Sequence, residues 1–233
     1  MLIDLNYPKP VPVELETGKT LLVIVDMENS SAHPESKRYM GEPIERIIPK
    51  IAALRRYVRD QGGLVIHTQS VRKPDALEYT VFHNEVRKLE GSWEAEFVAA
   101  LKPAPDEPVV VKYTHDCFYQ TKMESLLAQL GIRPGDGRVI ITGVAARGCV
   151  QCAVTGFSIR DYYVYVPSDC AAAKDETETL MSFSLYGSFG YRYNVTMTRS
   201  DLITLKPAAG RDAPAMAESQ TARAASGHAE ARK

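Results

Sequence analysis

The feature that most constrains this chain is a succession of short, continuously apolar runs, each followed by a longer segment with helical spacing. The first run, Thr20 to Asp26, reads Leu-Leu-Val-Ile-Val between its ends and closes on a carboxylate. A run this short with no polar alternation is the signature of a strand buried on both faces. Such a strand needs a covering layer on each side. From Ile44 the apolar positions Ile47, Ile48, Ile51, Leu54 and Val58 fall at helical spacing, with Pro43 near the start and Gly62 just beyond the end. Proline in the first turn and glycine past the last mark the two ends of a helix. Further strands are expected at Leu64 to Thr68, Val109 to Lys112, Val139 to Thr142, Tyr163 to Val166 and Val195 to Thr198. Helices are expected at Trp93 to Leu101, Lys122 to Leu130, Gly148 to Arg160 and Glu176 to Leu185. This alternation implies an α/β fold of three layers, a mostly parallel sheet covered by helices on both faces.

A chain of 233 residues is long enough for one sizeable core. Residues 1–206 are read as a single domain. Beyond Pro207 the composition shifts to Ala, Arg, Glu, Ser and Gly with almost no large apolar residue, so 207–233 is expected to be a disordered tail. Residues 70–92 form a polar, less periodic connection of the kind that supplies a lid or a subunit contact. No apolar stretch approaches the roughly 20 residues that a membrane-spanning helix needs, and no basic segment followed by an apolar one opens the chain. A cytoplasmic protein without a membrane partner is therefore expected. The net charge of -1 leaves no broad basic field to neutralise phosphates, which argues against nucleic acid and for a small-molecule partner. Cys117, Cys149, Cys152 and Cys170 are too few and too irregular for a disulfide framework and are expected as reduced thiols.

Ligands of parallel α/β sheets bind at the carboxyl ends of the strands, and Asp26, Lys112 and the segment leading to Cys149 all fall there. Thr142-Gly143-Val144-Ala145-Ala146-Arg147-Gly148-Cys149-Val150 reads as a strand end, a turn of small residues and a cysteine in the first turn of a helix. A helix start favours anions, so this thiol is expected to ionise more readily than a free one. Backbone N–H groups at the same place are suited to an oxyanion. Asp26 fits both remaining roles, acceptor of the thiol proton and acid for a departing amine. Lys112 supplies a positive charge for the thiolate. Taken singly, each residue has a plainer use: a buried cysteine, a loop-capping aspartate, a solvated lysine. Cys149-Val150-Gln151-Cys152 also matches the C-x-x-C pattern of redox proteins. That rival leaves Asp26 and Lys112 unexplained. Cys152 is otherwise a helix-packing residue, and Cys117 and Cys170 are structural. His33, His67, His83 and His115 lack compact ligand spacing; neither a metal nor another cofactor is expected, and no Cys/His arrangement stands out. His115, close behind Lys112, is a secondary candidate for a substrate contact. Glu28, Asn29, Arg72, Tyr119 and Arg147 are candidate substrate-binding residues, the arginines as cations and Glu28 and Asn29 as hydrogen-bonding partners of a ureido group.

These motifs together resemble the isochorismatase-like hydrolases, also called the cysteine hydrolase family, from about Thr20 to Thr198. The components are the apolar strand ending in Asp26, the segment Gly91-Ser92-Trp93-Glu94-Ala95-Glu96-Phe97, Lys112 followed by Asp116-Cys117-Phe118-Tyr119-Gln120-Thr121, and Gly143-Val144 leading to Cys149-Val150. The resemblance implies a six-stranded parallel sheet, an Asp/Lys/Cys triad at Asp26, Lys112 and Cys149, and a homo-oligomer, dimer or tetramer. It also implies a cis peptide between Val144 and Ala145, with the N–H groups of Ala145 and Cys149 as the oxyanion hole. The chain departs from the family in two places. Where the family often reads Asp-x-Gln-Asn-Asp-Phe, this chain has Asp26-Met27-Glu28-Asn29-Ser30-Ser31. The metal-binding nicotinamidases carry Trp-His-Pro after the second strand, and here His67-Thr68-Gln69-Ser70-Val71-Arg72 stands instead. Isochorismatases that cleave a vinyl ether commonly lack the cysteine, so its presence favours a small amide or ureido (carbamoyl, biuret-like) substrate. Vinyl ether hydrolysis and a binding protein without turnover are the alternatives.

Overall fold

The computed structural model describes residues 8–81, 87–186 and 194–207. The strands are β1 (Val13–Glu16), β2 (Thr20–Val25), β3 (Leu64–Ser70), β4 (Val109–Lys112), β5 (Arg138–Val144), β6 (Tyr163–Pro167), β7 (Ala171–Ala172), β8 (Val195–Thr198) and β9 (Ile203–Lys206). The α-helices are α1 (Asn29–Ala32), α2 (Glu42–Asp60), α3 (Leu77–Val81), α4 (Met123–Gln129), α5 (Gln151–Ser158) and α6 (Glu176–Tyr186). The main sheet runs in the order β4-β3-β2-β5-β6-β8, and every pairing in it is parallel. β7 adds a seventh strand by pairing Ala171 and Ala172 with Gly143 and Val144 at the end of β5.

Burial along β2 explains the layers. Its six residues are all inaccessible. Leu21 and Val23 face a cluster with Met123, Leu127, Val154, Phe157 and Phe183 from α4, α5 and α6. Leu22 and Ile24 face the opposite cluster, built on Ile44, Ile47, Ile51, Leu54 and Val58 of α2. A fully buried side chain of this type contributes about 1.5–3 kcal/mol relative to its exposed state, so a strand buried on both faces anchors two cores at once. From β2 the chain builds outward through β3 and β4 on one side; it then crosses to the other side for β5, β6 and β8. Sheets of this kind bind ligands where the strand order reverses, which here falls at the carboxyl ends of β2 and its neighbours.

Three features differ from the sequence expectation. Trp93 to Leu101 is two separate 3-10 turns, Trp93–Ala95 and Ala99–Leu101, rather than one helix. The backbone between them is extended because it pairs with the stretch after β2. The Asn29 N–H donates to Glu96 O at 2.7 Å, the Val98 N–H donates to Met27 O at 3.0 Å, and Phe97 bridges Glu28. Tertiary hydrogen bonds override a weak local helical preference. Gly148 to Arg160 is likewise divided: a π-type turn over Ala146–Val150, non-helical at Gly148, precedes α5. Finally, β1 and β9 form a separate parallel pair, Val13 with Ile203 through Glu16 with Lys206, which places Leu15, Ile203 and Leu205 over the α2 side of the core. Within the 70–92 connection the structure has α3 and a bridge between Arg72 and Leu89. Residues 82–86 of it, and the expected tail from 208 onward, lie outside the described residues. Among the described residues no helix is long and apolar enough to cross a membrane.

Candidate active site

β2 delivers Asp26 with its backbone in the left-handed region, φ 51°, which turns the chain sharply off the sheet and leaves the side chain 2% exposed. β3 fixes it: the Asp26 N–H donates to Thr68 O at 3.3 Å, and the Thr68 hydroxyl donates to Asp26 Oδ1 at 2.5 Å. β4 ends on Lys112, which is fully buried. Its ammonium lies 2.7 Å from Asp26 Oδ2, donates to Thr114 O at 3.1 Å and reaches Cys149 Sγ at 3.2 Å. Burial by itself would raise the carboxyl pKa, but Lys112, with Lys88 farther off, outweighs it and holds Asp26 below the usual carboxylate range. Burial would also lower Lys112, yet Asp26 and Cys149 hold it above the usual lysine range. The two therefore stand as a buried ion pair beside the sulfur.

β5 brings the cysteine. Gly143 has φ 106°, and a Cβ there would lie 2.1 Å from Val25 O, so only glycine lets β5 pass this close to β2 where the strand turns. The Val144–Ala145 peptide is cis. The Gly148 and Val150 N–H groups both donate to Ala145 O, at 2.8 and 3.2 Å, curling the chain so that Cys149 faces Lys112. The thiol does not behave as expected of a residue at a helix start. Burial, then the charge of Asp26, push it well above the usual cysteine range despite Lys112. The regular helix begins only at Gln151, so the helix-end field that favours a thiolate is weakened at Cys149. Burial and Asp26 thus oppose ionisation of the Cys149 thiol, and Lys112 favours it.

The remaining candidates separate into those facing this centre and those turned from it. Glu28 is fully buried, accepts a hydrogen bond from the Ser70 N–H and pairs with Lys88. Burial pushes its carboxyl up to about 7 against the pull of Lys88, with Asp26 adding to the rise. Asn29 is occupied with structure: its side-chain amide donates to Trp93 O at 3.0 Å. Arg72 folds back on Ser70 Oγ and Val71 O, both at 3.0 Å. Arg147 is largely exposed and pairs with Glu178 of α6 at 2.9 Å. Tyr119 is also exposed, its hydroxyl accepting from Gln120 Nε2. All four cysteines are free thiols. Among the described residues no three His, Cys, Asp or Glu side chains gather into a group that could hold a metal. Two residues at the site were given no catalytic part in the sequence reading. Lys88 comes from the irregular 70–92 connection. His115 was considered only as a contact to substrate, whereas its Nδ1 lies 3.1 Å from Cys149 Sγ. Both sit on loops, where no periodicity marks which way a side chain points.

Fold and site define a three-layer parallel α/β protein with a cysteine-centred cluster of polar side chains at the switch in strand order. Residues 20–193 match the Isochorismatase domain. The chain belongs to the isochorismatase family. It is 27% identical over 190 residues to a ureidoacrylate amidohydrolase of Methylorubrum extorquens, an alignment covering 69% of this chain and 73% of that protein. An isochorismatase-like hydrolase from Alkaliphilus metalliredigens superposes with a TM-score of 0.69 at 24% identity, covering 78% of this chain and 96% of that one. The N-carbamoylsarcosine amidase of Thermoplasma acidophilum superposes with a TM-score of 0.66 at 22% identity, covering 78% and 97%. At these identities the two structures speak for the fold alone.

Proposed function

We propose that this protein hydrolyses a carbon–nitrogen bond of a small amide or ureido compound through a thioester on Cys149. The observation that carries the reading is the convergence of Asp26, Lys112 and Cys149 from three different strand ends, with the ammonium within 3.2 Å of both the carboxylate and the sulfur. In the first step Asp26 accepts the thiol proton while Sγ forms a bond to the substrate carbonyl carbon. The oxyanion is held by the N–H groups of Ala145 and Cys149, donors of a kind whose single loss typically costs about 10²–10³ in rate. Asp26 then gives its proton to the nitrogen as the C–N bond breaks, releasing ammonia or an amine. Water attacks the thioester with Asp26 as base, the C–S bond breaks, and the proton returns to sulfur as an acid or carbamate leaves. Lys112 holds Asp26 ionised and offsets charge on the sulfur.

A relative supports this class of substrate, since it is named for ureidoacrylate. The nucleophilic sulfur at the centre favours acyl transfer over vinyl ether cleavage, which has no use for a thiol. The test is ammonia release from a panel of carbamoylated amines, biuret-like compounds, ureides and simple amides, with wild type and Cys149→Ala in parallel. Turnover that disappears in the variant is expected. Turnover that survives it, or no turnover of any member, overturns the proposal.

A further inference from the structure

The sulfur of Cys149 has a third polar neighbour besides Asp26 and Lys112. His115 Nδ1 lies 3.1 Å from Sγ, as close as the Lys112 ammonium at 3.2 Å. The two sides of the sulfur differ. Asp26 and Lys112 approach from the protein interior, where both are buried, whereas His115 is exposed to solvent. Its place is built by the turn after β4. The Lys112 ammonium donates to Thr114 O, the Asp116 N–H donates to Thr114 Oγ1 at 3.2 Å, and the Phe118 N–H donates to Asp116 Oδ1 at 2.8 Å. From the other side the ring meets the turn that carries the nucleophile: a Cβ on Gly148 would lie 3.8 Å from Nδ1. The charged and titratable groups around the ring include Cys149, with Lys112 and Asp26 behind it, and Asp116 in its own turn, whose Oδ1 is held by Phe118. Arg147, next to Gly148, is drawn off to Glu178.

We propose that His115 is a second acid–base residue of the reaction, sharing with Asp26 the first proton transfer from the solvent side of the sulfur. The proton of the Cys149 thiol passes to the Nδ1 lone pair, and the electron pair left on Sγ forms the bond to the substrate carbonyl carbon. The imidazolium then gives that proton to the departing nitrogen as the C–N bond breaks, which returns the ring to its neutral form before water attacks. The geometry of the site has room for such a group. Asp26 is already ion-paired with Lys112 on the interior side of the sulfur, whereas the His115 ring stands against it from the solvent side.

The inference rests on Cys149 being the nucleophile, and the test separates the two claims without needing the substrate. The rate of alkylation of Cys149 by iodoacetamide is followed against pH by mass spectrometry of its peptide, in wild type, His115→Asn, His115→Ala and Asp26→Asn. Asparagine keeps a hydrogen-bonding group at the position of Nδ1 and removes the titration. In wild type the rate is expected to rise in a step with pH, as the neutral imidazole becomes available to take the thiol proton. That step is absent from both His115 variants, their rates near pH 7.5 fall about 100-fold, the size typical of acid–base assistance, and free imidazole restores part of the loss in His115→Ala. Asp26→Asn keeps the step. A wild-type profile unchanged in His115→Asn and His115→Ala, with Cys149 still reactive, overturns the role of His115 alone. A Cys149 that resists alkylation at every pH in wild type overturns the nucleophile as well.

Discussion

Lys112 is the residue on which the site depends physically, because it is a buried ammonium whose partners are Asp26, Thr114 O and the Cys149 sulfur. Removing one member of a buried ion pair leaves an uncompensated charge and typically costs about 3–5 kcal/mol. Lys112→Met is therefore expected to lower stability by about that amount in urea denaturation and to abolish turnover; a stable, active Lys112→Met would show that the ammonium is dispensable. The pair also sets a pH limit. The pKa of Asp26 is lower folded than its ordinary value of 3.8, so its stabilising contribution is in place above that value and is lost as pH falls through the lower folded pKa. Asp26, Lys112 and Cys149 were legible from the sequence since each terminates or follows an apolar run whose end the fold must expose. Lys88 was not, and His115 only as a substrate contact, because a loop residue's direction comes from tertiary hydrogen bonds; the expected ease of thiol ionisation is opposed by burial and Asp26.

At the scale of elements, the site is held by close approaches and by one buried network. Gly143→Ala puts a Cβ against Val25 O on a backbone with φ 106°; strain of this kind costs about 1–3 kcal/mol before the backbone clash is added. The variant is expected to lose at least about 2 kcal/mol of stability together with its activity, and wild-type values for both would remove the claim that β5 needs glycine beside β2. The edge strand β4 is secured just before its start by Glu107, which accepts from Arg55 Nε and Arg59 Nη1 of α2, both at 2.8 Å, from the Ala104 N–H at 3.0 Å, and lies 2.9 Å from His67 Nε2 of β3. Burial would raise Glu107, but Arg55, the Ala104 N–H and His67 bring it down to about 2. A carboxyl depressed on folding stabilises above its unfolded value of 4.5 and stops doing so as pH falls through about 2. Glu107→Gln is expected to lose about 3 kcal/mol at pH 7 and to flatten the fall in thermal stability between pH 4.5 and 2; an unchanged acid profile would contradict this. α2 was readable because its apolar stripe has an unbroken helical period. Trp93 to Leu101 was not, since its backbone is taken up by Met27, Glu28 and Asn29.

For the whole molecule, the alternation of apolar runs and helical segments was enough to give a parallel sheet with two covering layers, because a strand inaccessible on both faces admits few other architectures. The β1–β9 pair escaped it: four-residue strands at opposite ends of the chain carry no local signal, and only the folded core brings Leu15, Ile203 and Leu205 together. A chain ending at residue 207 is accordingly expected to keep the melting temperature and activity of the full one. A chain ending at 202 loses β9 and two buried side chains worth about 1.5–3 kcal/mol each, and is expected to melt several degrees lower. A full loss on the shorter truncation would place part of the domain beyond residue 207. The central claim is that Cys149 carries the acyl group of a small amide or ureido substrate. It is tested most directly by quenching turnover of whichever panel compound releases ammonia and weighing the Cys149 peptide: a mass gain equal to the acyl group, present during turnover and gone at completion, is predicted, whereas steady ammonia release with Cys149 never modified would contradict it.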